Sequence, residues 1–289
     1  MSSSTPTDLA DILFRGRNAD GGWGYYPGKS SRLEPTAWAT LALHNTTSQD
    51  AAALRHWPSV HGLLLERAEG GMPNIAFHGL ALLTMQACGV QHEAGNAKLV
   101  DGLQRVKGIK LPPNPNSRQD NTLQAWSWFP DTFSWVEPTA WSTLSLKKWA
   151  KTTGSHVNAD RLDEAERMLI NRSCRVGGWN YGNPDALGQE LRPYVPTTAI
   201  ALLAMQDRRT DPVIARSLDY LERYATSERT GTALALTLLA LRTCGRPSSS
   251  VRAALIEQLP ITMDLGNHMA IALAAYALSS EQGNHAFTL

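Results

Sequence analysis

Two glutamates open the same five-residue string, Glu34-Pro35-Thr36-Ala37-Trp38 and Glu137-Pro138-Thr139-Ala140-Trp141. A carboxyl group so placed can give or take a proton, bind a cation or anchor hydroxyl groups. Proline is favoured at the first helical position, which makes each glutamate the expected N-cap of a helix. N-caps prefer Ser, Thr, Asp or Asn, whose short side chains reach the orphan amides. A glutamate found there twice asks for another reason. Either both carboxyls point into one shared site, or each serves its helix dipole or a neighbouring loop. For a proton donor there is a physical demand. A helix N-terminus favours the charged form, so burial or a second carboxyl must raise the pKa. Glu137 is the candidate donor, with Asp131 and Glu34 as the carboxyls that assist it.

Aromatic residues surround these strings. Trp38 and Trp141 follow the glutamates by one helical turn, and Trp128, Phe133 and Trp135 precede Glu137. Phe77, Tyr194 and Tyr276 hold comparable places elsewhere in the chain. Such rings either wall a pocket or pack a core. His78 lies four residues after Asn74 and can face a cavity or sit satisfied in the core. Lys147 and Lys148 read as a solvated helix end.

The elements that carry these residues repeat. Residues 21–43 lie without a gap on 124–146, placing Trp23 on Trp126 and Pro27 on Pro130. Six Ala/Leu-rich segments are apolar on every side and are therefore buried on every side: Pro35–Asn45, Asn74–Cys88, Pro138–Ala150, Pro196–Gln206, Thr230–Thr243 and Asn267–Ser279. Each follows an amphipathic segment: Thr7–Arg15, Gln49–Glu66, Ala94–Val106, Ala159–Asn171, Pro212–Tyr224 and Ser249–Gln258. No stretch alternates with period two over a useful length, so no strands are expected. Six similar inner helices without polar end repeats favour a closed ring over an open solenoid. The expected fold is all-α, an (α/α)6 toroid over residues 7–279. A flexible tail precedes it at 1–6 and another follows at 280–289. The Pro/Asn-rich loop 108–136 is expected beside the mouth of an axial cavity that takes an apolar small molecule.

Composition narrows the function. The 289 residues are 43% hydrophobic with a formal net charge of +1, which leaves no electrostatic footprint for nucleic acid. No apolar run approaches the ~20 residues of a membrane span, though transient membrane contact stays open. The first residues lack the pattern of a secretory signal, and Cys88, Cys174 and Cys244 make no metal spacing. A cytoplasmic setting is expected, with no cofactor and no metal. Oligomeric state is open.

Asp20-Gly21-Gly22-Trp23-Gly24, Ala125-Trp126-Ser127-Trp128 and Gly177-Gly178-Trp179-Asn180, with Pro-Thr-Ala opening the inner helices, resemble the repeat of the squalene-cyclase and protein-prenyltransferase β-subunit superfamily. The resemblance implies an (α/α)6 toroid with an apolar cavity for isoprenoids, and repeat tryptophans that staple neighbouring hairpins. It also implies cyclisation started by protonation, with Trp38, Trp128, Trp135 and Trp141 steering carbocations by cation–π attraction. In class II terpene cyclases the acid comes from Asp-x-Asp-Asp before Thr-Ala. Aligning Thr139-Ala140 there puts Glu137 at the middle aspartate, and Asp-x-Asp-Asp itself appears nowhere in this sequence. His268 resembles in placement the zinc-binding histidine of the prenyltransferase branch, without that branch's Asp-x-Cys. Two further readings of the ring stay open: a non-catalytic toroid binding a lipid, peptide or protein, and a carbohydrate-active (α/α)6 enzyme.

Overall fold

The computed structural model describes residues 6–47, 52–90, 93–115, 117–280 and 285–289. Among them the helices alternate between two layers. The inner layer is α2 (Leu33–Thr47), α4 (Ile75–Ala87), α6 (Val136–Thr153), α8 (Val195–Ala204), α10 (Gly231–Thr243) and α12 (His268–Ser279). The outer layer is α1 (Pro6–Arg15), α3 (Ala52–Arg55), α5 (Glu93–Arg105), α7 (Ala159–Asn171), α9 (Pro212–Tyr224) and α11 (Ser249–Asp264). Each inner helix packs on the next, and α12 packs on α2, so the ring closes as an (α/α)6 toroid. Inner helices bury nearly every side chain, as from Ala233 to Leu241 of α10. Outer helices bury one stripe, such as Ala165, Met168 and Leu169 of α7. Backbones touch where side chains vanish. A Cβ on Gly79 of α4 would stand 2.5 Å from the Trp141 carbonyl of α6.

The repeated strings build one joint three times. The backbone N–H groups of Trp23, Trp126 and Trp179 donate to the hydroxyls of Thr36, Thr139 and Thr198 at 2.9, 3.2 and 2.9 Å. The indole N–H groups of the same residues donate to the carbonyls of Leu13, Leu103 and Leu169 at 2.7, 2.9 and 2.6 Å. Each buried ring therefore ties an outer helix to the inner helix that follows. Thr139→Val leaves the buried Trp126 amide without its hydroxyl acceptor. We expect a loss of about 1–3 kcal/mol, read as a lower urea midpoint at unchanged m-value, with Thr139→Ser restoring most of it.

Three of the inner helices also take a cap from the hairpin that follows. The first amide of α6, Val136, donates to the Tyr181 carbonyl in the loop before α8 at 3.0 Å. The first amide of α8, Val195, donates to the Glu228 carboxylate in the loop before α10 at 3.2 Å. The first amide of α12, His268, donates to the Tyr25 carbonyl in the loop before α2 at 2.8 Å, across the point where the ring closes.

Four expectations change. The segment Gln49–Glu66 is not one long helix. Residues 48–51 lie outside the described residues, and after α3 the chain forms a hairpin of β1 (Ser59–Val60) and β2 (Leu63–Leu64). A second hairpin pairs β3 (Asp185–Ala186) with β4 (Gln189–Glu190). Both turn on two residues with positive φ, His61-Gly62 and Leu187-Gly188, the geometry that matches strand twist. Two-residue strands are too short to show alternation. Lys147 is not a solvated end: it bonds the Ala204 carbonyl at 3.0 Å and pairs with Glu166 and Asp207 at 2.6 and 2.7 Å. Residues 285–289 are a tail in the sequence reading and a plug in the structure. Phe287 is fully buried against Trp38, Trp141 and Tyr276, with centroids 5.4, 5.5 and 5.7 Å away. No helix among the described residues is long and apolar enough to cross a membrane.

Candidate active site

Glu34 and Glu137 are the second residues of α2 and α6, not their N-caps, and the prolines occupy the third positions. Trp135 holds the N-cap place of α6, and Tyr194 that of α8, without a side-chain cap bond in either case. By contrast α4, α7, α9, α10 and α12 are capped by Asn74, Asn158, Asp211, Thr230 and Asn267. Aromatic rings replace the caps at two helices that open onto the site, and the neighbouring loops supply the missing acceptors.

Both carboxyls line the mouth of the ring. Inward of them lies a cavity of about 350 Å³, within the range of pockets that hold small ligands. Trp38 and Trp141 form its aromatic wall, and Ile200, Leu236, Met269 and Leu273 its apolar side. Outward lies a recess of about 450 Å³ formed by Phe77, Trp128, Trp135 and Tyr181. Glu34, Glu137 and Tyr181 border both spaces, so the two acids form the neck between them. Phe287 closes the axis beneath Trp38 and Trp141, which meet edge-on at 5.9 Å.

The contest between dipole and burial goes to burial. Glu34 is pushed up to about 8, first by desolvation and then by the Glu137 charge, against the pull of the Tyr25 hydroxyl. Glu137 is pushed up to about 7 by desolvation, with the Trp141 indole opposing. Both side chains are half-buried where they border the cavity and the recess. The Trp141 indole N–H is buried and close enough to Glu137 to favour its charge, without a hydrogen bond of good geometry among the described residues. Tyr25 donates to Glu34 Oε2 at 2.5 Å, and burial beside that carboxyl raises the phenol far above its usual value. Behind them Glu66 accepts from Arg32 and Asn74 and helps hold the Glu34 proton.

These shifts fix how stability depends on pH. Above about 4.5 the unfolded chain releases two protons that the folded pair retains, so stability falls as pH rises through 7 and 8. His78 and His285 act oppositely. Burial lowers both to about 4, so stability rises between 4 and 6.5 as the unfolded chain loses its imidazolium charge. The two effects offset one another below pH 6.5, and the glutamates act alone above it. We expect wild type to lose about 1–2 kcal/mol between pH 6.5 and 8, allowing for water at the neck. Thermal scans of Glu34→Gln/Glu137→Gln should be nearly flat there; an unchanged slope would contradict the assignment.

The other expected site residues divide. Trp38, Trp128, Trp135, Trp141, Phe77 and Tyr194 all border the cavity or its recess. Phe133 does not; it stacks behind Trp135 at 4.4 Å. Asp131 is exposed on a turn with φ 58° and lines neither space, because the Pro130 turn carries it out of the mouth. His78 is a satisfied core histidine: Nδ1 accepts from the Leu64 amide and Nε2 donates to the Leu99 carbonyl, each at 3.1 Å. His268 donates from Nδ1 to the Gly24 carbonyl at 3.0 Å, and its ring fills the space beside Gly16. Tyr276 lies deep, its hydroxyl accepting from the Ala286 amide at 2.8 Å beneath the cavity. Of loop 108–136, Trp128 and Trp135 reach the mouth, while Ser117, Arg118 and Asp120 bind Asp185, Ser173 and Asn171 on the outer rim.

Tyr25, Tyr181, Glu228 and Phe287 escaped the sequence reading. Two of them carried a signal. Tyr25 and Tyr181 stand two residues after Trp23 and Trp179, as Trp128 does after Trp126; Tyr181 and Trp128 border the mouth and Tyr25 bonds Glu34 beside it. Glu228 precedes α10 and adds a third carboxylate to the cavity wall.

Known structures share this ring. A structure described as glycosidase F290Y superposes with a TM-score of 0.60 at 11% identity, over 96% of this chain and 95% of that one. The type II terpene cyclase MstE from Scytonema superposes at 0.58 and 16% identity, over 95% and 96%. The endo-β-1,4-glucanase CMCax from Acetobacter xylinum superposes at 0.52 and 11% identity, over 86% and 97%. No family model and no curated protein matches the sequence. At these identities the likeness establishes the toroid alone, and two chemistries share it.

Proposed function

We propose that this chain is a terpene-cyclase-like enzyme that binds an isoprenoid chain in the central cavity and starts its cyclisation by protonation from the Glu34–Glu137 pair. One observation carries the reading: two buried carboxyls with raised pKa values stand at the neck of an aromatic, apolar-sided hollow. Near neutral pH the pair shares a proton, held more tightly by Glu34. Its O–H gives that proton to one carbon of a C=C bond, whose π electrons form the new C–H bond. A cation develops on the neighbouring carbon, within reach of the Trp38 and Trp141 faces. The next double bond attacks it to close a ring. Loss of a proton to Glu228 or water ends the sequence, and proton exchange restores the acid. Substrate and product are isomers.

A sugar fits the inner cavity less well. Each hydroxyl needs a polar partner once water is excluded. Below the acids the cavity offers chiefly Thr197, Thr232 and the Trp141 indole, and Glu228 already accepts from the Val195 amide. The carbohydrate reading draws on the shared fold and on the Tyr181–Tyr194 pair at 5.1 Å, which could serve as a platform at the mouth. Incubation in D₂O with geranyl, farnesyl and geranylgeranyl substrates, and in parallel with β-glucans, separates the two. A cyclic isomer carrying deuterium supports protonation. Released sugar, or a product without deuterium, rejects it.

A further inference from the structure

A second concavity, of about 700 Å³, lies outside the ring between α9 and the segment 176–193. Arg216, Tyr220 and Arg223 share one face of α9 at helical spacing, and Arg192 faces them from the loop. Tyr220 and Tyr224 stack at 4.6 Å, and the Tyr220 hydroxyl donates to the Pro193 carbonyl at 3.2 Å, which fixes the wall.

The three guanidinium groups set this concavity apart. None of them holds an ion pair or hydrogen bond among the described residues. Arginines elsewhere are mostly engaged: Arg32 with Glu66, Arg118 with Asp185, Arg208 with Glu166, Arg229 with Glu257. The nearest carboxylate in the lining, Asp219, is held by Arg246 at 3.0 Å. Arg223 lies in the last turn of α9, where the helix dipole favours a cation. Arg216, in the middle of the helix, and Arg192, in the loop, have no such compensation. All three are exposed, so water and salt screen their repulsion, yet against the single carboxylate of Asp219 the hollow keeps a net positive charge that favours an anion.

We propose that this groove binds a soluble organic phosphate whose flat, apolar body lies against the tyrosines. Charge selects a multiply charged oxyanion over a monocarboxylate, because three arginines line the one hollow. Guanidinium forks match phosphate oxygens two at a time. The volume exceeds what inorganic phosphate fills, and the tyrosine faces supply the rest of the contact. This proposal is independent of the cavity chemistry, since none of these residues lines the cavity.

Calorimetric titration of the whole protein with phenyl phosphate and with inorganic phosphate, at low salt, tests it. Phenyl phosphate should bind at least fivefold more tightly than inorganic phosphate. Arg216→Ala/Arg223→Ala should weaken it tenfold or more without moving Tm, and Arg216→Lys should weaken it several-fold although the charge is kept. Equal binding of the two phosphates, or full binding by the double variant, overturns the proposal. So does phosphatidic-acid vesicle binding without phenyl phosphate binding, because the anion would then be a lipid headgroup.

Discussion

On the cyclisation proposed above, Glu34→Gln is expected to lower turnover of an isoprenoid substrate about 10²–10⁴-fold, the range for removing a positioned general acid. The change is nearly isosteric, and the Tyr25 hydroxyl keeps an amide oxygen to bond, so the ring should fold as before. Glu137→Gln gives a different signature. The Glu137 charge is the second cause of the raised Glu34 pKa, after burial. Without it Glu34 ionises at lower pH, and the falling limb of kcat/KM, expected near 7–8 in wild type, shifts downward. A structural role for Glu137 would lower Tm and leave that limb in place. The pair of variants therefore separates donor from neighbour. Retention of wild-type turnover by Glu34→Gln would remove the donor from the scheme.

Phe287→Ala costs about 3–5 kcal/mol, as for other buried phenylalanines cut to alanine. The ring is fully buried between Trp38, Trp141 and Tyr276, so little can collapse into its place. The segment around it is pinned from the base of the ring. Gln206 Nε2 donates to the Phe287 carbonyl at 2.8 Å, the Leu289 amide donates to Gln206 Oε1 at 3.0 Å, and Lys148 donates to the Thr288 carbonyl. The backbone plug should therefore stay while a hole opens above it. Benzene or xenon should raise the variant's Tm and leave wild type unchanged. Phe287→Leu, which keeps much of the volume, should cost less than about 1.5 kcal/mol. A loss below about 1 kcal/mol in Phe287→Ala would mean that the ring does not depend on its plug.

The fates of particular residues show how much was legible in advance. The duplicated Glu-Pro-Thr-Ala-Trp string marked both acids and both wall tryptophans, because a repeated joint forces equivalent residues into equivalent places around a ring. The same repeat offered Tyr25 and Tyr181 through their offset from the tryptophans. Asp131 looked equally promising and was lost to a single turn with positive φ. His78 and His268 shared the right types and the right helices, yet their rings face loops and outer elements, where backbone groups satisfy them.

The order of helices, their burial and the closing of the ring were thus determined by the sequence alone. They rest on short-range periodicity and on a repeated joint, both of which are local. The proton affinity of the acids, the division of the axis into neck, cavity and plug, and the arginine groove were decided only by the tertiary structure. Each depends on groups remote in the chain, as Glu34 does on Glu137 and Trp38 on Phe287. Desolvation is a property of everything that surrounds a group, and no stretch of sequence contains its own surroundings.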